Sequence, residues 1–321
     1  MLLLPAFLFS VFYMYWSLPI GCLQYRIPFL SLGSTKRRDM FGWAETLVSF
    51  FRVTLFKVGT EPLFRSEKPV IYLCNHRSWA DFFLDEYIME ARASPISRMT
   101  VFYVFPVFLT SASWMRSVIF FKRNRILNKE AFNARMEADI ERSFAKGLIV
   151  YIEGHRSLAP TSLPLKRGML HFAHSRKYPV QIAITRGKEQ LLNEKKLAVG
   201  FGARLASGFA SPIHSADFPE FDAFASKVQQ EWDRLWAEVY SSDIQNLPLM
   251  RVGTDEPPGA RFPAYVLVGQ ALICTLSIVV FLTGIFLLLR YCVLATVYTQ
   301  ALSGVLAVWT LVSMKQATLS H

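Results

Sequence analysis

His76 stands five residues ahead of Asp81 in the stretch Asn75-His76-Arg77-Ser78-Trp79-Ala80-Asp81, directly after the apolar run Val70–Cys74. A histidine exchanges a proton near neutral pH. A carboxylate one turn further on can accept from its other ring nitrogen and fix the tautomer. The pair suits general-base work; a histidine capping a helix beside an aspartate paired with a surface lysine has the same spacing, and spacing alone leaves both open. Three more loops carry cations: Val118–Arg125, Tyr151-Ile152-Glu153-Gly154-His155-Arg156-Ser157, and Leu163-Pro164-Leu165-Lys166-Arg167-Gly168. Glycine beside arginine and lysine lets backbone amides and guanidinium forks approach an anion together. Singly each is an ordinary solvated loop; jointly they describe a site for an anionic substrate. His171 and His174 share a helix face but have no third ligand in view, so no metal is expected. A lipid hydrolase would want a serine in a G-x-S-x-G elbow, and the chain has none.

Such residues need strand ends to hold them. The pattern predicts strands at Val70–Cys74, Ser117–Phe121, Leu148–Ile152 and Val180–Ile184, and helices around Asp81–Ala91, Asn128–Lys146 and Met169–Lys177. A last helix follows Glu220, with Phe221, Phe224, Val228, Trp232, Leu235, Trp236 and Val239 as a core stripe. Strands alternating with helices predict an α/β domain over residues 36–250. A further helix is expected over Phe41–Phe56, lying in the membrane surface or covering part of the core.

The rest of the chain is more apolar than a soluble domain requires. Of its 321 residues 52% are hydrophobic, mean hydropathy is +0.28, and there are 27 Phe, 12 Tyr and 7 Trp, which excludes a disordered chain. Residues 264–289 and 291–314 carry no charge, and each run is long enough to cross a bilayer, so a transmembrane hairpin is expected over 264–314. Residues 1–35 form a second apolar segment, broken by Pro5 and Pro19, without the basic start of a signal peptide. Lys36, Arg37, Arg38, Arg251, Arg261 and Lys315 flank these runs and predict a cytoplasmic domain by the positive-inside rule. The net charge is +11, of which residues 36–250 hold 30 Lys and Arg against 22 Asp and Glu. With no nucleic-acid-binding motif, the basic balance points to membrane lipid or an acidic small molecule, not to nucleic acid. The four cysteines are scattered and read as small buried hydrophobes.

In order and separation these motifs resemble the 1-acylglycerol-3-phosphate acyltransferase family, within the glycerolipid acyltransferases. That family carries N-H-x-x-x-x-D, a strand ending in Arg, E-G-T-R-S, an L-P-F-K-K-G-like segment and a late V-P-hydrophobic strand. The matches here are His76 and Asp81, Arg123, Glu153-Gly154-His155-Arg156-Ser157, Lys166 with Gly168, and Pro179-Val180. His155 replaces the usual Thr, Ser117 stands where Gly is common, and the last strand lacks its second proline. The resemblance implies a mixed sheet flanked by helices and acyl transfer from acyl-coenzyme A to the free hydroxyl of lysophosphatidic acid, with no cofactor. His76 would be the base and Asp81 its partner. Arg123, Gly154, Arg156, Ser157 and Lys166 would receive the acceptor phosphate, and Glu153 would orient the cations. Another lysophospholipid or glycerol 3-phosphate as acceptor stays open, as does a non-enzymatic module binding anionic lipid. The implied location is the endoplasmic-reticulum membrane.

Overall fold

The computed structural model describes residues 4–26, 40–104, 106–121, 128–143, 145–253, 276, 279–291 and 299–308. The main sheet is built from β1 (Thr54–Val58) at one edge and a parallel block of β2 (Val70–Cys74), β3 (Ser94–Arg98), β4 (Ile119–Phe121), β5 (Gly147–Tyr151) and β6 (Pro179–Arg186). Short β7 (Leu192–Asn193) and β8 (Ala198–Val199) form a separate hairpin, and β9 (Arg204–Phe209) and β10 (Ile213–His214) return to the main sheet. The sheet order is β1-β9-β6-β2-β5-β3-β4, with β10 beside β6. Pairing is parallel except where β9 and β10 run against β6, so the sheet is mixed. The parallel ladder turns the C-terminal ends of β2, β3, β5 and β6 to one edge, where α/β proteins hold ligands.

Helices cover both faces. They are α1 (Leu4–Arg26), α2 (Met40–Phe50), α3 (Asp81–Ile88), α4 (Met99–Val104), α5 (Pro106–Trp114), α6 (Lys129–Arg142), α7 (Gly168–Arg176), α8 (Lys188–Leu191) and α9 (Phe221–Ser241). Alternation along β2 divides the core: Tyr72 and Cys74 pack with α1, α2, α3 and α5, whereas Ile71 and Leu73 pack with α6, α7 and α9. Burial on both faces explains why β2 reads as an unbroken apolar run. Gly147 opens β5 where a Cβ would meet the Val70 carbonyl at 2.7 Å, so the closest approach of the two strands requires glycine.

The α/β class holds, and the four strands and four helices expected across 70–241 are present. The helix expected over Phe41–Phe56 is shorter. It stops at Phe50, the chain turns through Arg52 at φ 54°, and Thr54–Val58 becomes a strand instead. Its apolar face covers the core, with Trp43 against Phe82 and Phe83. Besides the two-residue strands β7, β8 and β10, three longer strands escaped the sequence reading because their composition hides them: Ser94–Arg98 is polar, Thr54–Val58 continues a helical pattern, and Arg204–Phe209 is built from small residues. Gly208 of that last strand lies under Val239 and Leu235, where a Cβ would sit at 3.1–3.2 Å from both.

The N-terminal segment folds back on the domain. Trp43 Nε1 donates to Ser17 Oγ at 2.9 Å, Tyr13 stacks near Phe50, and Tyr15 meets Phe108 edge-on at 5.0 Å. Phe9 and Phe12 remain exposed on its outer side. Among the described residues no helix is long and apolar enough to cross a membrane. Most of the expected hairpin lies outside the described residues; its described parts, 279–291 and 299–308, are helical with exposed apolar side chains.

Candidate active site

The turn after β2 is held before it holds anything. Asn75 extends the ladder with its side chain, donating to the Thr185 carbonyl at 2.9 Å and accepting from the Thr185 amide at 3.0 Å. Asp81 opens α3 and folds back over the turn: Oδ2 accepts from the Arg77 amide at 2.6 Å and Oδ1 from the Ser78 amide at 3.1 Å. Oδ2 also meets His76 Nδ1 at 2.7 Å. The carboxylate is 1% exposed and the imidazole 24%. Tyr151, at the end of β5, stacks on the ring at 4.3 Å between centroids. With Nδ1 engaged by Asp81, the lone pair falls to Nε2, on a ring that lines the cavity. Burial alone would raise the Asp81 carboxyl; Lys188, the His76 hydrogen bond and the Arg77 amide outweigh it and hold the group below its ordinary value.

Behind the pair lies a buried cation. Lys188 Nζ, fully buried at the start of α8, donates to both oxygens of Asp85 at 2.7 and 2.8 Å and to the Asn75 carbonyl at 3.1 Å. It stands 4.0 Å from Asp81 Oδ1. Burial would lower the ammonium, but Asp85 and Asp81 raise it above its usual range. Neither Lys188 nor Asp85 stood out in the sequence. The aspartate lies one turn past Asp81 on the same helix, and i, i+4 spacing was the one available signal.

The E-G-x-R segment is assembled differently from expectation. Glu153 was expected to orient cations, yet it is fully buried and serves the backbone: Oε2 accepts from the His76 amide at 3.1 Å and Oε1 from the Leu163 amide at 2.9 Å. Gly154 sits at φ 80°, where other residues are strained, and its carbonyl accepts from Arg98 Nη2 at 3.0 Å. Ser157 returns to the first turn, its amide donating to the His76 carbonyl at 3.1 Å, and its Oγ accepts from the Ala159 amide. Arg156 is 38% exposed; its Nε lies 3.0 Å from Glu194 Oε1 and its guanidinium over the Trp79 ring. Lys166 is exposed and anchored by its amide on the Ile152 carbonyl. Arg123 lies outside the described residues. Arg77, inside the first motif, is structural: it is buried beneath Trp236 and Tyr240 and donates to the Ala159 carbonyl at 2.7 Å.

His76, Asp81, Gly154, Arg156 and Lys166 line one cavity of about 770 Å³. One side is apolar, formed by Met14, Phe82, Phe108 and Leu109; Arg98, Tyr15 and His155 complete the polar side. Sequence reasoning missed Arg98 because β3 itself was missed. Among the described residues no group of three His, Cys, Asp or Glu could hold a metal. His174 Nε2 pairs with the Phe218 carbonyl at 2.8 Å and His171 stacks on Phe221. The whole is an imidazole with an engaged carboxylate partner, cations alongside, and an apolar wall of the kind an alkyl chain fills.

The chain is similar to known proteins in sequence and in fold. A family model described as Acyltransferase matches residues 56–184. A 1-acyl-sn-glycerol-3-phosphate acyltransferase from Cocos nucifera is 24% identical over 160 residues, 48% of this chain and 49% of that protein. The chain thus spans about half the length of this curated relative. The crystal structure of the 1-acyl-sn-glycerophosphate (LPA) acyltransferase PlsC from Thermotoga maritima shares the fold, with TM-score 0.56 over 74% of this chain and 96% of that one, at 15% identity. Residues 56–184, the segment that builds the His76 turn, the central strands and the Glu153 loop, are thus the part of the chain that matches the acyltransferase family.

Proposed function

We propose that this protein is an acyltransferase that moves an acyl group from acyl-coenzyme A to the free hydroxyl of lysophosphatidic acid, giving phosphatidic acid. The observation that carries the reading is the 2.7 Å contact between His76 Nδ1 and Asp81 Oδ2 on the wall of a cavity that also holds Arg156 and Lys166. His76 Nε2 takes the hydroxyl proton as the oxygen attacks the thioester carbonyl. Asp81 steadies the imidazolium, which returns the proton to the departing thiolate. No serine or cysteine nucleophile is needed. Arg156 and Lys166 receive the phosphate, and the apolar wall receives a chain. General-base help of this kind contributes roughly 10²–10⁴ in rate.

The Arg156–Glu194 pair supports a second reading of the acceptor. A carboxylate beside the phosphate-binding arginine suits a lysophospholipid whose headgroup adds a cation to its phosphate. Labelled acyl-coenzyme A offered with a panel of lysophospholipids and glycerol 3-phosphate tests both readings: phosphatidic acid as main product supports the first, and no transfer to any acceptor by the wild type, with His76→Ala identical to it, sinks both. We place the protein in the endoplasmic-reticulum membrane on the strength of the proposed reaction, with residues 36–250 on the cytoplasmic side because basic residues flank its apolar runs. In sealed microsomes, whose outer face is the cytoplasmic one, protease should then remove tags at Arg251 and at the C-terminus together; protection of the C-terminal tag alone would mean a single span.

A further inference from the structure

Asp81, Asp85 and Lys188 form one buried cluster of charges beside His76. Asp81, Asp85 and Lys188 together carry one negative charge, and an imidazolium cancels it. Lys188 spends its ammonium on Asp85, with both oxygens within 2.8 Å, and reaches Asp81 only at 4.0 Å. We propose that Asp85 is a positioning residue: by neutralising Lys188 it leaves the charge of Asp81 to His76 and so raises the basicity of the imidazole. As a role in catalysis this rests on the acyltransferase reading above; as electrostatics it stands on the cluster alone.

The surroundings of His76 allow the effect to be isolated. Asp81 of α3 bonds its ring and Tyr151 of β5 stacks on it; Lys188 of α8 lies beyond Asp81, bonded to Asp85 of α3, and the Cys74 thiol of β2 feels the charges of all three. Glu153 reaches only its amide, and Arg98, His155, Arg156, Lys166 and Tyr15 share its cavity. Burial and the charge of Asp81 push the Asp85 carboxyl up to about 6 against the pull of Lys188, whose ammonium lies 2.7 and 2.8 Å from its two oxygens. The alternative is an ion pair that only holds α8 against α3. That pair would matter for folding and leave the titration of His76 where it is.

Carbethoxylation of His76 by diethyl pyrocarbonate, read by peptide mass spectrometry on the full chain in lipid nanodiscs, reports the neutral imidazole without any substrate. Asp85→Asn keeps an acceptor for Lys188 but removes a charge, and the midpoint should fall by about one pH unit. Asp85→Asn with Lys188→Met restores the net charge and should return the midpoint to within about 0.3 of wild type. Lys188→Met alone leaves two buried carboxylates and must not lower the midpoint, which decides the matter if Asp85→Asn does not fold. An unchanged midpoint in folded Asp85→Asn, a fall in Lys188→Met, or a double variant that stays displaced overturns the inference. Wild type that shows no acyl transfer yet gives the expected shifts would sink the proposed reaction and leave the electrostatics standing.

Discussion

His76 and Arg156 line the same cavity but are fixed by opposite means. Around His76 the partners are buried and mostly main chain: Asp81 accepts two amides besides the imidazole, and Glu153 accepts the amide of His76 itself. Arg156 leans on one carboxylate and one indole face, and solvent reaches it. A proton-transfer group needs its geometry before substrate arrives, since a displacement of a fraction of an ångström is felt in the barrier. A group that grips a headgroup can adjust as the headgroup enters, and an exposed ion pair is cheap to exchange for another. The proposed function would thus put chemistry on the buried side and choice of acceptor on the open side.

The sharpest way to break this contrast is at the base. Purified His76→Ala should lose roughly 10²–10⁴ in turnover while retaining its fold, and Asp81→Asn should also cost orders of magnitude because an amide can hold the wrong tautomer. Turnover near wild type in His76→Ala would remove the dyad from the reaction. Glu153→Ala comes next. It strands two amides, each worth about 1–3 kcal/mol when buried without a partner, so thermal stability and kcat should fall together while the acceptor KM holds; Glu153→Gln, which keeps one acceptor, should lie between. A selective rise in acceptor KM would return Glu153 to the substrate side.

On the open side the effects are smaller and confined to binding. Arg156→Ala should raise the KM for lysophosphatidic acid roughly tenfold to a hundredfold, with Arg156→Lys recovering part and acyl-coenzyme A saturation little changed. An equal loss with every acceptor, together with less folded protein, would mean that the guanidinium is structural. Least of all, Glu194→Gln should lower that KM by about twofold to fivefold, within the range of an exposed ion pair, by freeing Arg156 for the phosphate. A rise instead would show that Glu194 presents the guanidinium to its ligand.

What was legible before the fold was known follows the same division. The strands flanking the site are apolar on both faces, and His76 and Asp81 lie within one turn of chain, so local pattern located them. The helix of Lys129–Arg142 begins where Asn128 caps it, with Oδ1 accepting from the Ala131 amide. Lys188, Arg98 and Glu194 join the site only through sheet order and a hairpin, 103, 56 and 38 residues from their partners Asp85, Gly154 and Arg156, and carry no mark in composition. Glu153 was found but misassigned. Residue type announces a carboxylate without telling whether its acceptors will be guanidinium or main chain, and burial decided for main chain.

That carboxylate also makes one latch of two loops. The amides of His76 and Leu163 close on opposite oxygens of the same side chain, and the Ser157 amide closes on the His76 carbonyl. The loop that carries the cations cannot lift away without releasing the main chain of the base. In hydrogen exchange the two amides on Glu153 should therefore open as a single unit, with one opening free energy shared between them. The same coupling limits exchange of parts between relatives: a headgroup-recognising loop transplanted without its buried acid would loosen the histidine it was never meant to touch.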